Sequence, residues 1–453
     1  KRFGELVSCF ILQSADNLKD ISRQWVNAAE LSKIGGGVGI CGTDWRAMMD
    51  PIIGIVGRAT GLLGWAKILE SVFSKVDQLG TRPGAGILWC NALHLDAPAL
   101  IDAKRENVDE QIRLKTLNVG LIIPDIMYIR AAQNRPIHLF SPYDVARVLG
   151  KPMSKVSLTE HYDRLVADPT VRKTSMSARE YFQMISGIQM ESGYPFVMND
   201  DTVNRANNID GYISSSNLCS EILQVSEAST YKKDNSYDHV GRDISCNLGS
   251  INAYLALTTG DFATTVDSAV RMCTEVSRKT AIYAVPPVKR GNDLSHAIGI
   301  GAMNLHGAFA ALGMDYGDAD SVMFTDVWFM AMRYHALTTS NTLAREYGTA
   351  FHDFHKSKYA DGSALRYYHR EDYHDGRMSE KVAGIFRDNG FFIPTIADWQ
   401  ALTDLIMKYG IYNAYLMAVA PTGSISYINN ATASIHPISA QIEERHEGKV
   451  YGY

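Results

Sequence analysis

Cysteine is scarce in this chain, with six residues among 453. None of them forms a C-x-x-C pair, which argues against a zinc ribbon and against a thioredoxin-like redox motif. Six cysteines spread over so long a chain are also unlike the dense disulfide framework of a small secreted domain. The sequence therefore indicates a reducing compartment, and we expect the cytoplasm.

Long apolar runs and an excess of positive charge are missing as well. No uninterrupted apolar run approaches the roughly 18 residues of a membrane span, so no transmembrane helix is predicted. The formal net charge of -5 gives no general attraction to nucleic acid or to an anionic membrane, and neither is expected as a partner. Residues 1–5 resemble no secretory signal and do not begin with Met.

The remaining composition is that of a globular protein. Hydrophobic residues make up 46% of the chain and charged residues 21%, close to the averages for soluble domains. The length supports a large buried core, arranged as two or three ordinary domains or as one large α/β barrel. No internal repeat, low-complexity tract or clear linker divides the chain.

One stretch, Asn217-Leu218-Cys219-Ser220-Glu221, concentrates reactive side chains. If it is extended, Asn217, Cys219 and Glu221 share one face, because alternate side chains of a strand point the same way. Negative charge raises the pKa of a thiol, so a carboxylate neighbour does not favour a nucleophilic thiolate. The pattern suits a sulfur that reacts as a one-electron species while the carboxylate moves a proton. The alternative is a buried cysteine in a polar turn.

Apolar periodicity, capping residues and turn residues predict the main elements. The predicted helices run from a cap at Asp16 and Asn17 to about residue 32, over 59–79, over 178–192, and over 325–347 with a cap at Thr325 and an end at Gly348. The predicted strands are 5–12, 117–124 and 415–420.

Glycine-rich segments offer candidate ligand-binding backbone. Residues 37–42 match G-x-G-x-x-G, but a dinucleotide fingerprint needs a strand before it and a helix after it, and the order here is the reverse. We interpret these glycines as permitting the close approach of a ligand. Residues 80–86 are predicted to form a loop carrying Arg82, either an ordinary turn or a mobile ligand-reading loop. Residues 421–426 follow an apolar run and offer N–H groups and hydroxyls to a phosphate.

Histidine is concentrated between residues 350 and 380, at His352, His355, His369 and His374, with several aspartates nearby. Histidine and aspartate can bind a metal when their spacing is regular. Here the spacing is loose and the surroundings are polar. We predict a solvated surface lobe, and we expect no metal in this chain.

Four motifs, in this order, carry a family resemblance: Ser8-Cys9, Asn217 to Ile222, Asp243 to Ser250 around Cys246, and Pro421 to Ser426. Together with residues 140–144 and 191–195, they resemble the large catalytic (alpha) subunit of class I ribonucleotide reductase, in its class Ib form. The resemblance covers essentially the whole chain. Each motif alone is weak, whereas the ordered set is specific.

The resemblance implies a fold of the thiyl-radical type: a ten-stranded α/β barrel with Cys219 at the tip of a loop threaded through its centre. Residues 1–453 would be one partial catalytic barrel domain, truncated at both ends. The family's N-terminal helical region, its tyrosine pair and its C-terminal redox dithiol find no match in the sequence. We therefore expect a fragment that does not turn over alone, even with a small subunit.

The implied reaction is reduction of ribonucleoside diphosphates to 2′-deoxyribonucleoside diphosphates, the precursors of DNA. Cys219 would be oxidised to a thiyl radical and take the hydrogen from C3′. Glu221 would accept the 3′-hydroxyl proton, and Asn217 would hold the substrate hydroxyls. Cys9 and Cys246 would supply two electrons and form a disulfide as the 2′-hydroxyl leaves as water. Such a bridge needs Cα atoms within about 7 Å.

The implied ligand contacts rest on looser matches. Substrate contacts would come from Ser8, Cys9, Gly37, Asn217, Pro421, Thr422, Gly423, Ser424 and Ile425. Specificity effectors of the family, deoxynucleoside triphosphates and ATP, would bind at a homodimer interface. By position they would meet Asp16, Asn17, Leu18, Arg46, Gln78 and Arg82. The two arginines fit a triphosphate and a base.

The resemblance also implies the partners of the chain. The chain itself would bind no cofactor; a metal-containing small subunit would supply the radical, and a thioredoxin- or glutaredoxin-like dithiol would reduce the disulfide.

Other protein classes are alternatives to this one. The adenosylcobalamin-dependent class of reductases often has Pro and Gly beside its cysteine, where this chain has Leu218 and Ser220. The glycyl-radical class does not use the same Glu. A catalytically silent nucleotide-binding regulator stays open, and a dehydrogenase is a distant third.

Overall fold

The computed structural model describes residues 5–76, 84–371, 378–444 and 450–452. The chain divides into two compact units, the first formed by residues 1–245 with 280–293 and the second by residues 246–279 with 294–453. No helix in the described ranges is both long enough and apolar enough to cross a membrane.

The described strands, in chain order, are β1 (Cys9–Gln13), β2 (Gly37–Cys41), β3 (Ala85–Asn91), β4 (Asn118–Ile123), β5 (Pro136–Phe140), β6 (Lys173–Ser177), β7 (Phe196–Asn199), β8 (Thr230–Tyr231), β9 (Tyr237–His239), β10 (Ile244–Ser245), β11 (Leu248–Asn252), β12 (Gly299–Met303), β13 (Ile442–Glu444) and β14 (Val450–Gly452).

The described α-helices are α1 (Leu18–Lys33), α2 (Leu62–Lys75), α3 (Ala97–Asp102), α4 (Asp125–Ala132), α5 (Pro142–Leu149), α6 (Leu158–Ala167), α7 (Ala178–Ser192), α8 (Asp200–Ala206), α9 (Ala253–Thr258), α10 (Phe262–Lys279), α11 (Pro286–Ser295), α12 (Leu305–Ala311), α13 (Ala319–Tyr347), α14 (Glu380–Asp388), α15 (Ile396–Tyr409) and α16 (Ile425–Ile428). Short 3-10 helices span Met153–Lys155, Phe354–Lys356 and Ser363–His369.

The first unit is built on a six-stranded sheet in the order β10-β1-β2-β3-β4-β7. Its strands are parallel except for β10, which runs antiparallel to β1. Every residue of β2 is buried, and so is nearly every residue of β3 and β4. Such continuous burial is typical of parallel strands that are covered on both faces. Two antiparallel pairs, β5 with β6 and β8 with β9, complete the strands of this unit.

The second unit holds a parallel pair, β11 with β12, and an antiparallel pair, β13 with β14. Only part of the predicted strand 415–420 is paired: Met417 bridges Ile300 of β12, and the backbones of Tyr415, Leu416 and Ala418 hydrogen-bond to residues 298 and 300. The segment around Ala418 can lie close to β12 because residue 301 is glycine. A Cβ there would lie 2.3 Å from the Ala418 carbonyl oxygen.

The α/β class is therefore confirmed. Hydrogen bonding among the described strands joins six of them in one mixed sheet and the others in pairs. These strands do not close into one barrel within the described ranges, so the ten-stranded barrel is not confirmed.

Helix predictions succeeded where the cap is local. The side chain of Asn17 accepts from the Asp20 N–H over 2.9 Å and begins α1, and α7 has the predicted bounds. The predicted start of α13 is wrong. Asp318 caps that helix, and the Thr325 hydroxyl instead donates to the Ser321 carbonyl inside it. A threonine can satisfy its hydroxyl within a helix, so it is an ambiguous start signal.

Candidate active site

The stretch from Asn217 to Glu221 is a tight turn. Ser220 donates its N–H to the Asn217 carbonyl over 3.3 Å and adopts a left-handed backbone with a φ of 70°. The stretch is therefore not extended, because the chain reverses after Asn217. The reversal nevertheless brings the amide of Asn217 and the carboxylate of Glu221 together.

The amide of Asn217 is fully buried and joins the functional groups of the turn. Its Nδ2 donates to Glu221 Oε2 over 2.7 Å and to Cys9 Sγ over 3.0 Å. Its Oδ1 accepts from the Ile222 N–H over 3.0 Å, which fixes the orientation of the amide. The thiol at the start of β1 and the carboxylate of the turn thus share one donor group.

Two glycines of β2 make room for this turn. A Cβ on Gly39 would lie 2.4 Å from the Ser216 carbonyl oxygen, and a Cβ on Gly37 would lie 2.7 Å from Leu218 Cδ2. A side chain at Gly39 would therefore displace the backbone of the turn, whereas one at Gly37 would have to displace the Leu218 side chain. Gly37 and Gly39 stand inside a strand, so residues 37–42 are no dinucleotide fingerprint, as predicted. The protein's own turn makes this close approach, and a ligand contact at Gly37 stays a prediction.

Hydrophobic packing also stabilises the position of the turn. Leu218 and Leu223 pack against a buried cluster formed by Ile87, Trp89, Ile122 and Met198. Trp89 also donates its indole N–H to the Asn217 carbonyl over 3.3 Å. The sequence analysis missed Trp89, because no spacing relates it to the cysteine stretch. Only the pairing of β3 with its neighbours brings it there.

The carboxyl group of Glu221 and the thiol of Cys219 have different surroundings. Burial raises the pKa of Glu221 above its usual value, and the hydrogen bond from Asn217 opposes that shift. A carboxyl group with a raised pKa is better matched to proton transfer near neutral pH. Cys219 is exposed, whereas Cys9 is half-buried. The turn thus offers an accessible thiol beside a carboxyl group that can exchange a proton.

The substrate contacts predicted in the first unit lie together. Gly37 donates its N–H to the Ser8 carbonyl over 2.8 Å, and Cys9 is opposite Gly37 in the pairing of β1 with β2. Cys246 is buried and directly follows Ser245, the last residue of β10. It begins the second unit.

The predicted phosphate loop lies in the second unit. Thr422 has a left-handed backbone, with a φ of 53°, and its hydroxyl accepts from the Ser434 N–H over 2.7 Å. Ser426, the second residue of α16, donates its N–H to the Thr422 carbonyl over 3.1 Å. Pro421, Gly423 and Ser424 complete this turn; whether it binds a phosphate stays a prediction.

Four of the predicted effector residues lie near one another. Arg46 Nε donates to Asp16 over 2.8 Å, and its guanidinium lies 4.9 Å from the centre of the Tyr143 ring. Burial raises the pKa of Asp16 although Arg46 opposes the shift. Asn17 caps α1, and Leu18 is exposed. Gln78 and Arg82 lie outside the described residues. A cavity of about 360 Å³ adjoins Asp16 and Tyr143.

Among the described residues, no cluster of His, Cys, Asp and Glu could hold a metal ion. In the histidine-rich region, His352 pairs with Asp353 over 2.9 Å, and His369 bonds to the Thr403 hydroxyl. His374 lies outside the described residues. His352 and His369 therefore each bond to a neighbouring polar side chain.

The fold and the site define a class of α/β protein in which a cysteine-bearing turn rests on a glycine-containing strand of a parallel sheet. The family model for the ribonucleotide reductase barrel domain matches residues 7–452. The chain belongs to the ribonucleotide reductase barrel-domain family.

Similar proteins are named ribonucleoside-diphosphate reductase subunit alpha. The protein from Mycoplasma genitalium is 42% identical over 99% of this chain, and the one from Bacillus subtilis is 37% identical over 100% of it. The chain spans 63% and 64% of the lengths of these two relatives.

Proposed function

We propose that this chain is the catalytic part of a ribonucleoside-diphosphate reductase. It would reduce ribonucleoside diphosphates to 2′-deoxyribonucleoside diphosphates. The observation that carries the proposal is the amide of Asn217, which donates both to Glu221 and to Cys9, a residue 208 positions away. The family match and the names of the relatives support the same reaction.

Each group of the turn has a role in this proposal. A small subunit with a metal-based radical would oxidise Cys219 to a thiyl radical. Cys219 would then abstract hydrogen from C3′ of the ribose, for which its exposure is suitable. Glu221 would take the 3′-hydroxyl proton, and its raised pKa suits that transfer. Asn217 would hold the substrate hydroxyls.

Cys9 and Cys246 would be the reductant. Two thiols would lose two hydrogens and form a disulfide, while the ribose loses its 2′-oxygen as water and gains a hydrogen in its place. The pairing of β1 with β10 supports this. Phe10 lies opposite Ser245, so Cys9 and Cys246 are each the sequence neighbour of a paired residue. A thioredoxin- or glutaredoxin-like dithiol would restore the thiols.

The remaining expectations become part of the proposal. The chain would contribute to a ten-stranded barrel and act as one catalytic domain, residues 1–453. Ser8, Gly37 and residues 421–425 would contact the substrate. Deoxynucleoside triphosphates or ATP would bind at a homodimer interface, to the six effector residues named above. Cysteines without a disulfide framework suit the reducing cytoplasm.

The test is a single turnover without external reductant. The full-length protein that contains this chain is reduced, mixed with its small subunit and given cytidine diphosphate. We expect deoxycytidine diphosphate together with a Cys9–Cys246 disulfide, detected by peptide mass mapping. Cys219→Ser should abolish both products, and Cys246→Ser should abolish the disulfide.

Cys273→Ser is the matched control, because Cys273 is a buried cysteine of α10 outside the proposed chemistry. It should keep the full yield. Deoxynucleotide formed by Cys219→Ser, or a wild-type turnover in which Cys9 and Cys246 stay reduced, would refute the proposal.

A further inference from the structure

Two buried serines mark the base of the loop that carries the Cys219 turn. Ser214 precedes the turn and Ser226 follows it, and both are buried. Their hydroxyls donate to the same acceptor, Oε1 of Gln13, over 2.7 Å and 3.0 Å. Gln13 is the last residue of β1, the strand that Cys9 begins. The two arms of the loop are therefore joined through the end of that strand.

Lys155 joins the same two arms through hydrogen bonds of its own. Its Nζ donates to Ser214 Oγ over 3.0 Å, to the Ser226 carbonyl over 2.8 Å and to the Tyr212 carbonyl over 3.3 Å. An ammonium group has three N–H donors, so all of them are used on the loop. None of these acceptors is a carboxylate, and the bonds serve to hold backbone and hydroxyl groups in place.

The position of Lys155 is itself fixed. The neighbouring Ser154 donates its N–H and its hydroxyl to the buried carboxylate of Asp44, over 2.8 Å and 2.6 Å. Asp44 follows β2 in the chain, after a short connection. The lysine is thus tied to the sheet on which the turn rests.

We propose that Lys155 and Gln13 form a clamp that positions the Cys219 turn. The clamp closes the loop between residues 214 and 226 at its base, which restricts the conformations open to the turn. A site of several groups works only if each group is held close to its productive geometry. Lys155 is a positioning residue, since it acts through the loop. The importance of the clamp for catalysis rests on the proposed function.

The surroundings of Lys155 allow it to be replaced in a test of the clamp. It borders the cavity of about 360 Å³ beside Asp16 and a second cavity of about 660 Å³. A side chain of similar length and volume can therefore replace it without overpacking. Lys155→Met removes all three donors, and Lys155→Arg keeps a cation with several donors. Lys151 borders the larger cavity and is exposed, so Lys151→Met is the matched control.

The first measurement is hydrogen–deuterium exchange of the full-length protein that contains this chain, followed by mass spectrometry. In Lys155→Met we expect peptides covering residues 214–226 to exchange at least about tenfold faster, because bonds from a charged donor are lost. Lys155→Arg should restore most of the protection. Lys151→Met should match the wild type, and the strands β2 and β3 should be unchanged in every variant.

The second measurement is turnover of the full-length protein with its small subunit. In Lys155→Met, kcat should fall by roughly tenfold or more while KM for the substrate changes by less than about twofold. Gln13→Met should behave similarly, and the double variant should lose less than the product of the two single losses, because both residues hold the same loop.

Two outcomes would overturn the clamp. One is exchange of residues 214–226 in Lys155→Met at the wild-type rate. The other is faster exchange spread evenly over the strands of the first unit, which would indicate general destabilisation. If the wild-type protein forms no deoxynucleotide, the proposed function fails, and the exchange experiment still decides the clamp.

Discussion

The side-chain amide of Asn217 makes hydrogen bonds at every polar position it has. Nδ2 donates to Glu221 and Cys9, and Oδ1 accepts from the Ile222 N–H and, over 3.3 Å, from the Ser216 hydroxyl. A buried group of this kind is expensive to alter, because each lost partner is left without water to replace it. An isosteric carboxylate would also face Glu221 with like charge.

We therefore expect Asn217→Asp to destabilise the protein at pH 7 by about 2–4 kcal/mol, since a buried carboxylate would lose both donated bonds and repel its neighbour. The loss should shrink at acidic pH, where one of the two carboxyl groups is protonated. Urea unfolding at pH 7 and pH 5 measures both effects.

Asn107→Asp is the control for the added charge, because Asn107 is exposed. Its unfolding midpoint should match that of the wild type. If Asn217→Asp behaves in the same way, the amide has no special structural role.

The identity of these residues was predictable, and their geometry was not. The order of amide, thiol and carboxylate in 217–221 indicated the chemistry from residue types alone. The turn at Ser220 was missed because a left-handed serine has no reliable local signal. The contact of Trp89 with Asn217 depends on strand pairing, which joins residues 128 positions apart.

Among the elements, β2 and the turn depend on each other. The turn can lie on the strand only where the strand has no side chains. Gly39→Ala would place a methyl group 2.4 Å from the Ser216 carbonyl oxygen, so the turn must move. We expect a loss of about 2–4 kcal/mol in stability, as for other overpacked or strained sites, and loss of the Asn217–Cys9 contact. Urea unfolding and a crystal structure of the variant would measure these effects.

Gly64→Ala is the opposite case. Gly64 lies in α2, is exposed, and a Cβ there would meet no atom closer than 3.9 Å. Alanine should stabilise the protein by about 0.5–1 kcal/mol, because glycine is a poor helix former. Equal stability changes in the two variants would contradict the role assigned to Gly39.

Helices and strands were predicted correctly where the sequence signal lies within the element itself. The capped helix at 178–192 and the strand at 117–124 were found because caps and apolar runs are local. The segment 415–420 has the composition of a strand, yet only one of its residues bridges β12. A strand requires a partner along its length, and no local pattern supplies that information.

At the scale of the whole molecule, buried carboxyl groups make stability depend on pH. Asp200 is buried, and burial raises its pKa from 3.8 to about 7, with a hydrogen bond from Asn204 opposing the shift. Burial likewise raises the pKa of Asp20 to about 6. The folded protein therefore keeps protons that the unfolded chain has released.

Because the folded protein holds these protons more tightly, its stability falls as the pH rises. The contribution of Asp200 is complete below about pH 4 and is lost as the pH rises to about 7. At about 1.4 kcal/mol for each pKa unit, its share is of the order of 4 kcal/mol. We expect the free energy of unfolding to fall over this range, and Asp200→Asn to reduce that slope. Urea titrations at several pH values measure it.

Asp388→Asn is the control, because the Asp388 side chain is 78% exposed. It should leave the slope unchanged. If the free energy of unfolding of Asp200→Asn fell with pH as steeply as that of the wild type, this carboxyl group would not hold a proton in the folded state.

The sequence by itself determined the α/β class, the family and the residue types of the candidate site, because these follow from composition, local patterns and the order of motifs. Tertiary structure decided which groups meet: Asn217 with Cys9, the turn with Gly37 and Gly39, and Lys155 with the base of the loop. Such contacts join distant parts of the chain, and their geometry is set by the pairing of strands and by close packing.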